Sequence, residues 1–332
     1  MKTGIKLAAV LLAALFALCG CTMPWQSDEP KTVVTVSGAS VGADLYACYL
    51  AQILHDPASY DLQKNPNRAD AEQKAVQLCA EHVAVNTMFV RDGLHLTPEY
   101  KTRIAENVSV KWDLYRNFYN AVGVRKQTLT EYETAAAKRE LLIANKYGEH
   151  GTAAVSKIEL DAYYAVNYVT FRSVNGYLTR IGADGKTERL SQDEITQVEN
   201  DFRRMCEEVR GGTSLEDVVK ENAGSGSILS SEVQTVTINR TTSNYPSEFF
   251  ATVQQQMEEG TPRVIETEDN IFLVVKESSE KDENLSAHRF ACLLEKSGPS
   301  FQNDLNAELA GYKVQKSTTA LGEIWSVVRK QF

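Results

Sequence analysis

Cysteine and histidine are the residue types in this chain that could carry covalent or metal chemistry. The 332 residues include six cysteines and five histidines. No CxxC pair occurs and the cysteines after the amino-terminal segment are widely spaced, so neither a zinc site nor any other metal or cofactor site is expected. HExxH is absent, and Glu149-His150 lacks the rest of a zinc motif, so a secreted hydrolase is not expected either. The cysteines after the amino-terminal segment are Cys48, Cys79, Cys206 and Cys292.

Those four cysteines are predicted to be buried free thiols, which behave as small apolar residues. Cys48 and Cys79 lie on adjacent predicted helices, and a disulfide between them is the alternative that the spacing leaves open. The remaining two are too far from any partner in the sequence to indicate a pair.

Residues 1–21 have the composition of an export signal. Two early lysines form a basic region, and Leu7–Leu18 is an apolar run of about a dozen residues, too short to span a bilayer as a stable helix. The run ends in Leu18-Cys19-Gly20-Cys21, which resembles the bacterial lipobox. That resemblance implies a diacylglycerol on Cys21, and its two acyl chains would give stable anchoring. An ordinary cleaved signal or a short anchor helix is the alternative.

Composition places the rest of the chain among acidic globular proteins. The full chain has 35 Lys and Arg and 44 Asp and Glu, a formal net charge of −9, which becomes −11 once the leader and its two lysines are removed. A surface this acidic argues against nucleic-acid binding and against docking on anionic lipid through basic patches. The length corresponds to about two domains.

Hydrophobic periodicity and capping residues predict an α+β fold whose first half is mostly helical. A polar tether covers 22–31, and a mostly helical region covers 32–163. The predicted elements of this region are a strand in 32–41 and helices over 44–54, 69–92, 97–121, 130–147 and 156–163. Thr130-x-x-Glu133 and Ser156-x-x-Glu159 are read as capping boxes at the starts of the last two helices.

The predicted elements change character near Tyr164, which opens a second domain over 164–283. Ser191-x-x-Glu194 is its capping box. The expected elements are strands at 166–172, 233–238, 263–267 and 271–276, a hairpin connection at 182–185, helices at 191–210, 214–222 and 247–258, and a flexible loop at 223–232. The tail is expected to hold a strand near 288–294 and helices near 300–310 and 319–330.

Three stretches resemble parts of parvulin-type peptidyl-prolyl isomerases. Residues 250–275 resemble the family's Phe-led helix, glycine turn and final strands. Gly211–Val218 resembles its "G-x-x-F-x-x-L-A" helix start, and Ile158–Tyr164 resembles the helix that leads into the parvulin domain of secreted foldases. With the lipobox and the helical flanks, the order of parts is similar to the PrsA/SurA foldase family over nearly the whole mature chain. The resemblance implies that 284–332 completes the helical domain of 32–163. It also implies that the second domain is a small antiparallel sheet covered by helices.

The resemblance also implies a proline-binding pocket, which we carry over position by position. Tyr168 stands where the family's first histidine would be, and Phe272 where the second would be. Phe250 matches the pocket phenylalanine, with Phe249 and Tyr245 beside it, and the family's Gly-Asp-Leu-Gly turn has no equivalent. The five histidines of the chain, at positions 55, 82, 95, 150 and 288, all lie outside the second domain.

Prolyl isomerisation breaks no covalent bond, and its barrier of about 18–20 kcal/mol is amide resonance. A pocket favours the twisted amide by gripping the ring, so the loss of both histidines implies weak or absent catalysis rather than loss of binding. The alternative is that Tyr168, Phe250 and Phe272 are core residues of the sheet.

The mostly helical first half leads us to expect a chaperone. The family resemblance implies an apolar cradle for unfolded clients, and aromatic residues at helical spacing are candidates to line it: Trp112, Tyr115, Phe118, Tyr119 and Tyr132. The alternative is that this stripe is an ordinary bundle core. We therefore expect an extracytoplasmic lipoprotein that binds unfolded secreted polypeptides and has a degenerate isomerase domain. An active isomerase with an atypical site and a non-catalytic scaffold or adaptor lipoprotein remain as alternatives.

Overall fold

The computed structural model describes residues 31–240 and 245–332 and has the expected α+β architecture. The predicted leader, Cys21 and the tether up to residue 30 lie outside the described residues. The chain forms two compact units. The first unit holds the described residues up to Lys146 together with Gly298–Phe332, and the second unit holds Tyr147–Ser297.

The elements are numbered in chain order. The strands are β1 (Thr32–Val36), β2 (Ala39–Gly42), β3 (Tyr168–Tyr177), β4 (Thr179–Ile181), β5 (Thr187–Arg189), β6 (Gln234–Asn239), β7 (Pro262–Glu266), β8 (Asn270–Lys276) and β9 (Val314–Lys316). The helices are α1 (Ala43–His55), α2 (Arg68–Arg91), α3 (Pro98–Ala121), α4 (Lys126–Tyr147), α5 (Lys157–Asn167), α6 (Gln192–Arg210), α7 (Leu215–Asn222), α8 (Ser247–Gln256), α9 (Asp282–Leu309) and α10 (Thr318–Val328).

The core of the first unit is built around α1, whose apolar residues are buried nearly all round the helix. A helix that is apolar on every side must be covered on every side, and α2 and α10 make its principal helix contacts. The helix starts follow the sequence closely. Thr97 caps α3 by accepting a hydrogen bond from the Tyr100 amide, and Pro98 takes the first helical position.

A three-stranded antiparallel sheet in the order β2-β1-β9 completes the first unit. Ser37 and Gly38 both have positive φ, 47° and 92°, which is the conformation that a two-residue hairpin turn requires. The sequence does not predict β9, because its three residues are all exposed and show no alternation. Its pairing, Val34 opposite Lys316, joins positions far apart in the chain.

The predicted start of α4 at Thr130 is wrong. The helix begins at Lys126, and the Thr130 hydroxyl donates a hydrogen bond to the Lys126 carbonyl from inside the helix, so it caps nothing. A tertiary contact fixes the earlier start: the buried carboxylate of Asp44 accepts hydrogen bonds from the Arg125 guanidinium at 2.8 Å and the Thr128 hydroxyl at 2.5 Å. A local four-residue pattern cannot reveal a contact with a residue on α1.

The second unit contains a four-stranded antiparallel sheet in the order β6-β3-β8-β7. Because side chains alternate across a strand, successive residues of β8 enter two different cores. Leu273 packs with α6 and α7, whereas Phe272 and Val274 pack with α8. The capping boxes at Ser156 and Ser191 are both formed as the sequence predicts.

The predicted strand near 288–294 is wrong, as is the separate helix that was expected to begin near 300. One helix, α9, covers Asp282–Leu309 and includes Pro299 in its interior. Cys292 and Leu293 are both buried, which suits one face of a helix rather than alternate faces of a strand.

The compact units divide at Lys146 and Gly298, whereas the sequence places the boundaries at 163/164 and 283/284. Side-chain contacts explain why α5 and the first part of α9 lie in the second unit. Tyr164 stacks on Tyr168 with 5.4 Å between ring centroids, and Tyr168 donates a 2.6 Å hydrogen bond to the Glu295 carboxylate.

Three observations bear on earlier expectations. Within residues 31–240 and 245–332, no helix is long and apolar enough to cross a membrane. Nor do the described residues contain a group of three or more His, Cys, Asp or Glu side chains that would hold a metal ion. Cys48, Cys79, Cys206 and Cys292 are buried free thiols, and Cys48 and Cys79 are not joined.

Candidate functional site

The second unit brings four of the five predicted pocket residues together on the α8 side of its sheet. The ring centroids of Tyr245 and Phe249 are 4.6 Å apart, and those of Phe249 and Phe272 are 5.1 Å apart. Phe250 belongs to the same apolar cluster. Phe171, which the sequence analysis did not single out, lies 5.5 Å from Phe249. We call these five residues the sheet aromatic cluster.

The sheet aromatic cluster is packed closed. Phe249, Phe250 and Phe272 are only 2%, 5% and 8% exposed, and Tyr245 is half-buried. The rings meet at tilted and edge-on angles, the arrangement that aromatic side chains prefer inside a core. Burial raises the pKa of Tyr245. Among the described residues, Phe249, Phe250 and Phe272 therefore fill the interior between α8 and the sheet, and Tyr245 is partly exposed beside them.

Tyr168, the fifth predicted pocket residue, lies apart from this cluster. Alternation along β3 puts Val169 and Phe171 on the cluster's side and Tyr168 on the opposite side. Its hydroxyl donates to Glu295, and burial followed by this hydrogen bond raises its pKa well above the usual range. Tyr168 is therefore held by polar contacts on the side of the sheet opposite to the cluster.

A polar network surrounds Tyr168 on that side of the sheet. Thr170 exchanges hydrogen bonds with Tyr164 at 2.5 Å and with Thr237 at 2.7 Å. The His288 ring lies 5.7 Å from the rings of both tyrosines. The sequence analysis left His288 outside the predicted second domain, and no local pattern connects it to a tyrosine about 120 residues earlier.

The first unit holds an open groove of about 500 Å³, a size typical of ligand sites. We call it the aromatic groove. Residues of α1, α3 and α4 form its walls, and the segment that follows α10 closes one end. The lining residues are Ala51, Gln52, His55, Lys111, Tyr115, Phe118, Tyr119, Leu129, Tyr132, Gln331 and Phe332.

Four of the five aromatic residues predicted for a client surface line this groove, and the fifth supports it. Tyr115 is 55% exposed at a break in the helical geometry of α3, with φ −124° and ψ 17°. Tyr119 is buried and stacks on Trp112, with 6.0 Å between ring centroids and an interplanar angle of 2°. Trp112 itself is not among the lining residues. The stripe is therefore partly core and partly open surface.

Lys111 and Tyr132 form the side of the groove on α3 and α4. The Lys111 ammonium lies 6.0 Å from the Tyr132 ring centroid and donates a 2.6 Å hydrogen bond to the buried Glu133 carboxylate. This ion pair neutralises the charge of the lysine, so the rim remains largely apolar. Burial raises the pKa of Tyr119 to about 12, which keeps that hydroxyl protonated at any physiological pH.

Tyr49 and His82 form a largely buried hydrogen-bonded pair next to Tyr132. Tyr49 lies 5.5 Å from the Tyr132 ring, and its hydroxyl is 3.1 Å from Nδ1 of His82. Burial, together with the nearby Lys138 ammonium, lowers the pKa of His82 to about 4. His82 is therefore neutral at neutral pH and can share a hydrogen bond with the tyrosine that backs the groove wall.

The second unit has its own concavity, of about 600 Å³, between α5, α9 and the segment before α5. Its lining contains one aromatic residue, the 41% exposed Phe290. Arg289 at its edge is paired with the Asp161 carboxylate at 3.2 Å. With one ring and a charged rim, this concavity offers a flexible apolar segment much less than the aromatic groove does.

Gly38-Ala39-Ser40-Val41-Gly42 has the G-x-S-x-G spacing of a serine-hydrolase nucleophile elbow, which the exclusion of hydrolases above did not weigh. The elbow places its serine on a sharp turn between a strand and a helix. Here Ser40 lies within β2 and pairs with Thr35 in a hairpin, and the positive φ angles fall on Ser37 and Gly38. Ser40 therefore does not have the strand-to-helix turn that activates a nucleophilic serine.

Comparison with known proteins gives likenesses among solved structures. The chain is similar to foldase protein PrsA from Streptococcus pneumoniae str. Canada MDR_19A, at 13% identity over 83% of this chain and 92% of that one, with a TM-score of 0.42. It is similar to foldase protein PrsA from Lactococcus lactis, at 16% identity over 90% and 99%, with a TM-score of 0.39. It is also similar to PrsA from Bacillus subtilis, at 12% identity over 77% and 82%, with a TM-score of 0.31.

These solved structures are those of PrsA-type foldases, the family that the sequence also resembles. No protein-family model and no curated protein matches the sequence.

Proposed function

We propose that this protein is a membrane-tethered extracytoplasmic foldase of the chaperone type, which holds unfolded secreted polypeptides in the aromatic groove. The observation that carries the proposal is an open groove of about 500 Å³ whose rim presents the half-exposed Tyr115 and Phe332. Exposed apolar surface that is grouped in a concavity marks an interaction site more often than scattered apolar residues do.

The chemistry of the groove suits an unfolded client. Aromatic rings supply large apolar contact area at a low cost in side-chain entropy, and they do not demand one sequence from their ligand. The acidic net charge of −9 keeps the protein soluble while apolar surface is exposed. Weak, broad binding is the expected result.

The closed sheet aromatic cluster supports the reading of the second unit as a degenerate isomerase domain. A proline ring needs an apolar cavity to enter, and Phe249 and Phe250 already occupy the space between α8 and the sheet. Without either family histidine and without an open cavity at these positions, the unit is proposed to contribute to architecture and client contact rather than to catalysis.

A test of holding activity is the aggregation of reduced, denatured lysozyme, followed by light scattering as the denaturant is diluted. The protein without its leader should suppress scattering, and Tyr115→Ser combined with Phe118→Ser should lose most of that effect. Leu114→Ser is the matched control, because Leu114 is 68% exposed on the same helix but does not line the groove. Unchanged scattering with the unaltered protein would refute the proposal.

The proposed tether at Cys21 has a separate test. The full chain produced in a bacterium should be recovered with the membrane fraction, and the mass of its first mature peptide should include a diacylglycerol. Cys21→Ala should release the protein or leave its leader uncleaved. A Cys21 peptide without added mass, recovered from the soluble fraction, would contradict the tether and leave the chaperone proposal untouched.

A further inference from the structure

Phe332 already places an aromatic ring in the aromatic groove. Its ring centroid lies 5.6 Å from Phe118 at an interplanar angle of 78°, and 6.3 Å from His55 at 54°. Both geometries fall in the range that aromatic pairs prefer, in which the positive edge of one ring meets the negative face of the other. The groove therefore contains a defined subsite for one ring, between His55 and Phe118.

Phe332 is held in this subsite loosely. Its side chain is 44% exposed, whereas Val328, at the end of α10, is fully buried. Between them, Arg329–Gln331 forms a single 3₁₀ turn with no buried residue. The anchor of the segment is thus Val328, whereas the Phe332 ring is not part of the buried core.

Building on the proposed function, we propose that the subsite between His55 and Phe118 selects an aromatic side chain of the client, and that Phe332 occupies it until a client ring replaces it. The ligand class is then an unfolded segment that carries a phenylalanine, tyrosine or tryptophan. A client ring cannot enter the subsite while Phe332 occupies it. The apparent affinity for the client is therefore the intrinsic affinity multiplied by the fraction of molecules whose subsite is free. Because an aromatic pair shifts an equilibrium by about two- to tenfold, Phe332 restrains binding without preventing it.

The test uses two fluorescein-labelled, unstructured peptides of serine, glycine and asparagine that differ at one position, phenylalanine or cyclohexylalanine. The second residue has the same shape class and apolarity but no π system. Fluorescence polarisation should show the phenylalanine peptide binding about two- to tenfold more tightly than its partner. Phe332→Ala should tighten binding of the phenylalanine peptide by about two- to tenfold, and Leu114→Ala should leave it unchanged.

A second measurement reads the displacement directly. A fluorine label on the Phe332 ring should change its resonance when the phenylalanine peptide saturates the protein, and Phe118→Ala should abolish the preference for phenylalanine over cyclohexylalanine. Equal affinity for Phe332→Ala and the unaltered protein would overturn the inference, and weaker affinity would make Phe332 a wall of the site. In both cases the proposed function would stand, because peptides still bind. No binding of either peptide, together with unsuppressed lysozyme aggregation, would instead overturn the proposed function.

Discussion

Each of the two compact units carries a group of aromatic side chains, and the two groups differ in whether solvent reaches the rings. In the second unit, Phe249 is 2% exposed and packs against Phe171, Tyr245 and Phe272 between a helix and a sheet. In the first unit, Tyr115 and Phe332 are 55% and 44% exposed around a groove. The same residue types thus fill a core in one unit and line an open groove in the other.

The difference follows from what covers each group. A helix laid on a sheet closes a layered core, and large rings fill it to the density of a protein interior. The groove is lined by residues of α1, α3 and α4 and of the segment after α10, and it leaves Tyr115 and Phe332 partly exposed. Four predictions test this contrast, beginning with the one that should have the largest effect.

Removing a ring should cost far more stability in the closed group than in the open one. Phe249→Ala is expected to reduce the free energy of unfolding of the second unit by about 3–5 kcal/mol, because it leaves a cavity. Tyr115→Ala should change the stability of the first unit by less than about 0.5 kcal/mol, as exposed substitutions do. Hydrogen exchange resolved by peptide can follow each unit separately. Equal losses in the two variants would remove the contrast.

Acid should weaken the first unit through His82. The pKa of His82 in the folded protein is about 4, below the ordinary value of 6.5. Between these two pH values the histidine is protonated in the unfolded chain but not in the folded one. Stability is then fully present above pH 6.5 and falls as the pH is lowered towards 4, by about 3 kcal/mol in total. Exchange of α2 peptides measured between pH 7 and pH 4.5 should show this loss.

His82→Gln is the control for the acid effect, since glutamine retains a hydrogen-bonding group near Tyr49 and does not titrate. The carboxylates of the protein contribute equally to both proteins, and the difference between them isolates the histidine. Parallel pH profiles for the unaltered chain and His82→Gln would show that burial does not depress the pKa of this residue.

Removing the hydroxyl group from two buried tyrosines should change the free energy of unfolding in opposite directions. Tyr164→Phe removes the hydroxyl that is 2.5 Å from Thr170 and should destabilise the second unit by about 1 kcal/mol. Tyr46 is fully buried in the first unit, and among the described residues its hydroxyl has no hydrogen-bond partner. Tyr46→Phe should therefore stabilise that unit by up to about 1 kcal/mol. Urea unfolding of both variants checks the signs, and a destabilising Tyr46→Phe would count against the assignment.

The smallest expected effect is on proline isomerisation. Uncatalysed Xaa-Pro isomerisation takes tens of seconds at 25 °C, and a panel of Xaa-Pro peptides should show no acceleration by the protein without its leader. Clear catalysis that Phe250→Ala abolishes would show that the sheet aromatic cluster opens in solution and that the second unit is a working isomerase.

Several features of the fold were predictable because they are local. Capping boxes at Ser156 and Ser191 join residues three apart, and the Thr97-Pro98 start of α3 is encoded by two adjacent residues. The start of α4 was mispredicted because Asp44, on another helix, binds its first turn. The strand near 288–294 was mispredicted because a short apolar run fits either period until its partners are known.

Some features of the candidate site could likewise be predicted from the sequence, and others could not. Four of the aromatic residues named as candidates for a client surface line the groove, and four of the candidate pocket residues named from the family resemblance lie in one cluster: Tyr245, Phe249, Phe250 and Phe272. The sequence did not indicate that Tyr168 would face away from that cluster, because its side of the sheet depends on the register with β6 and β8.

The sequence by itself determined the order of elements, most helix ends and the α+β class, since these depend on backbone preferences and on contacts a few residues apart. Only the tertiary structure decided which rings remain open to solvent. Phe332 meets Phe118 across more than 200 residues, and Tyr168 meets Glu295 across 127. Burial is a property of what packs on a side chain, and the packing partners here come from distant parts of the chain.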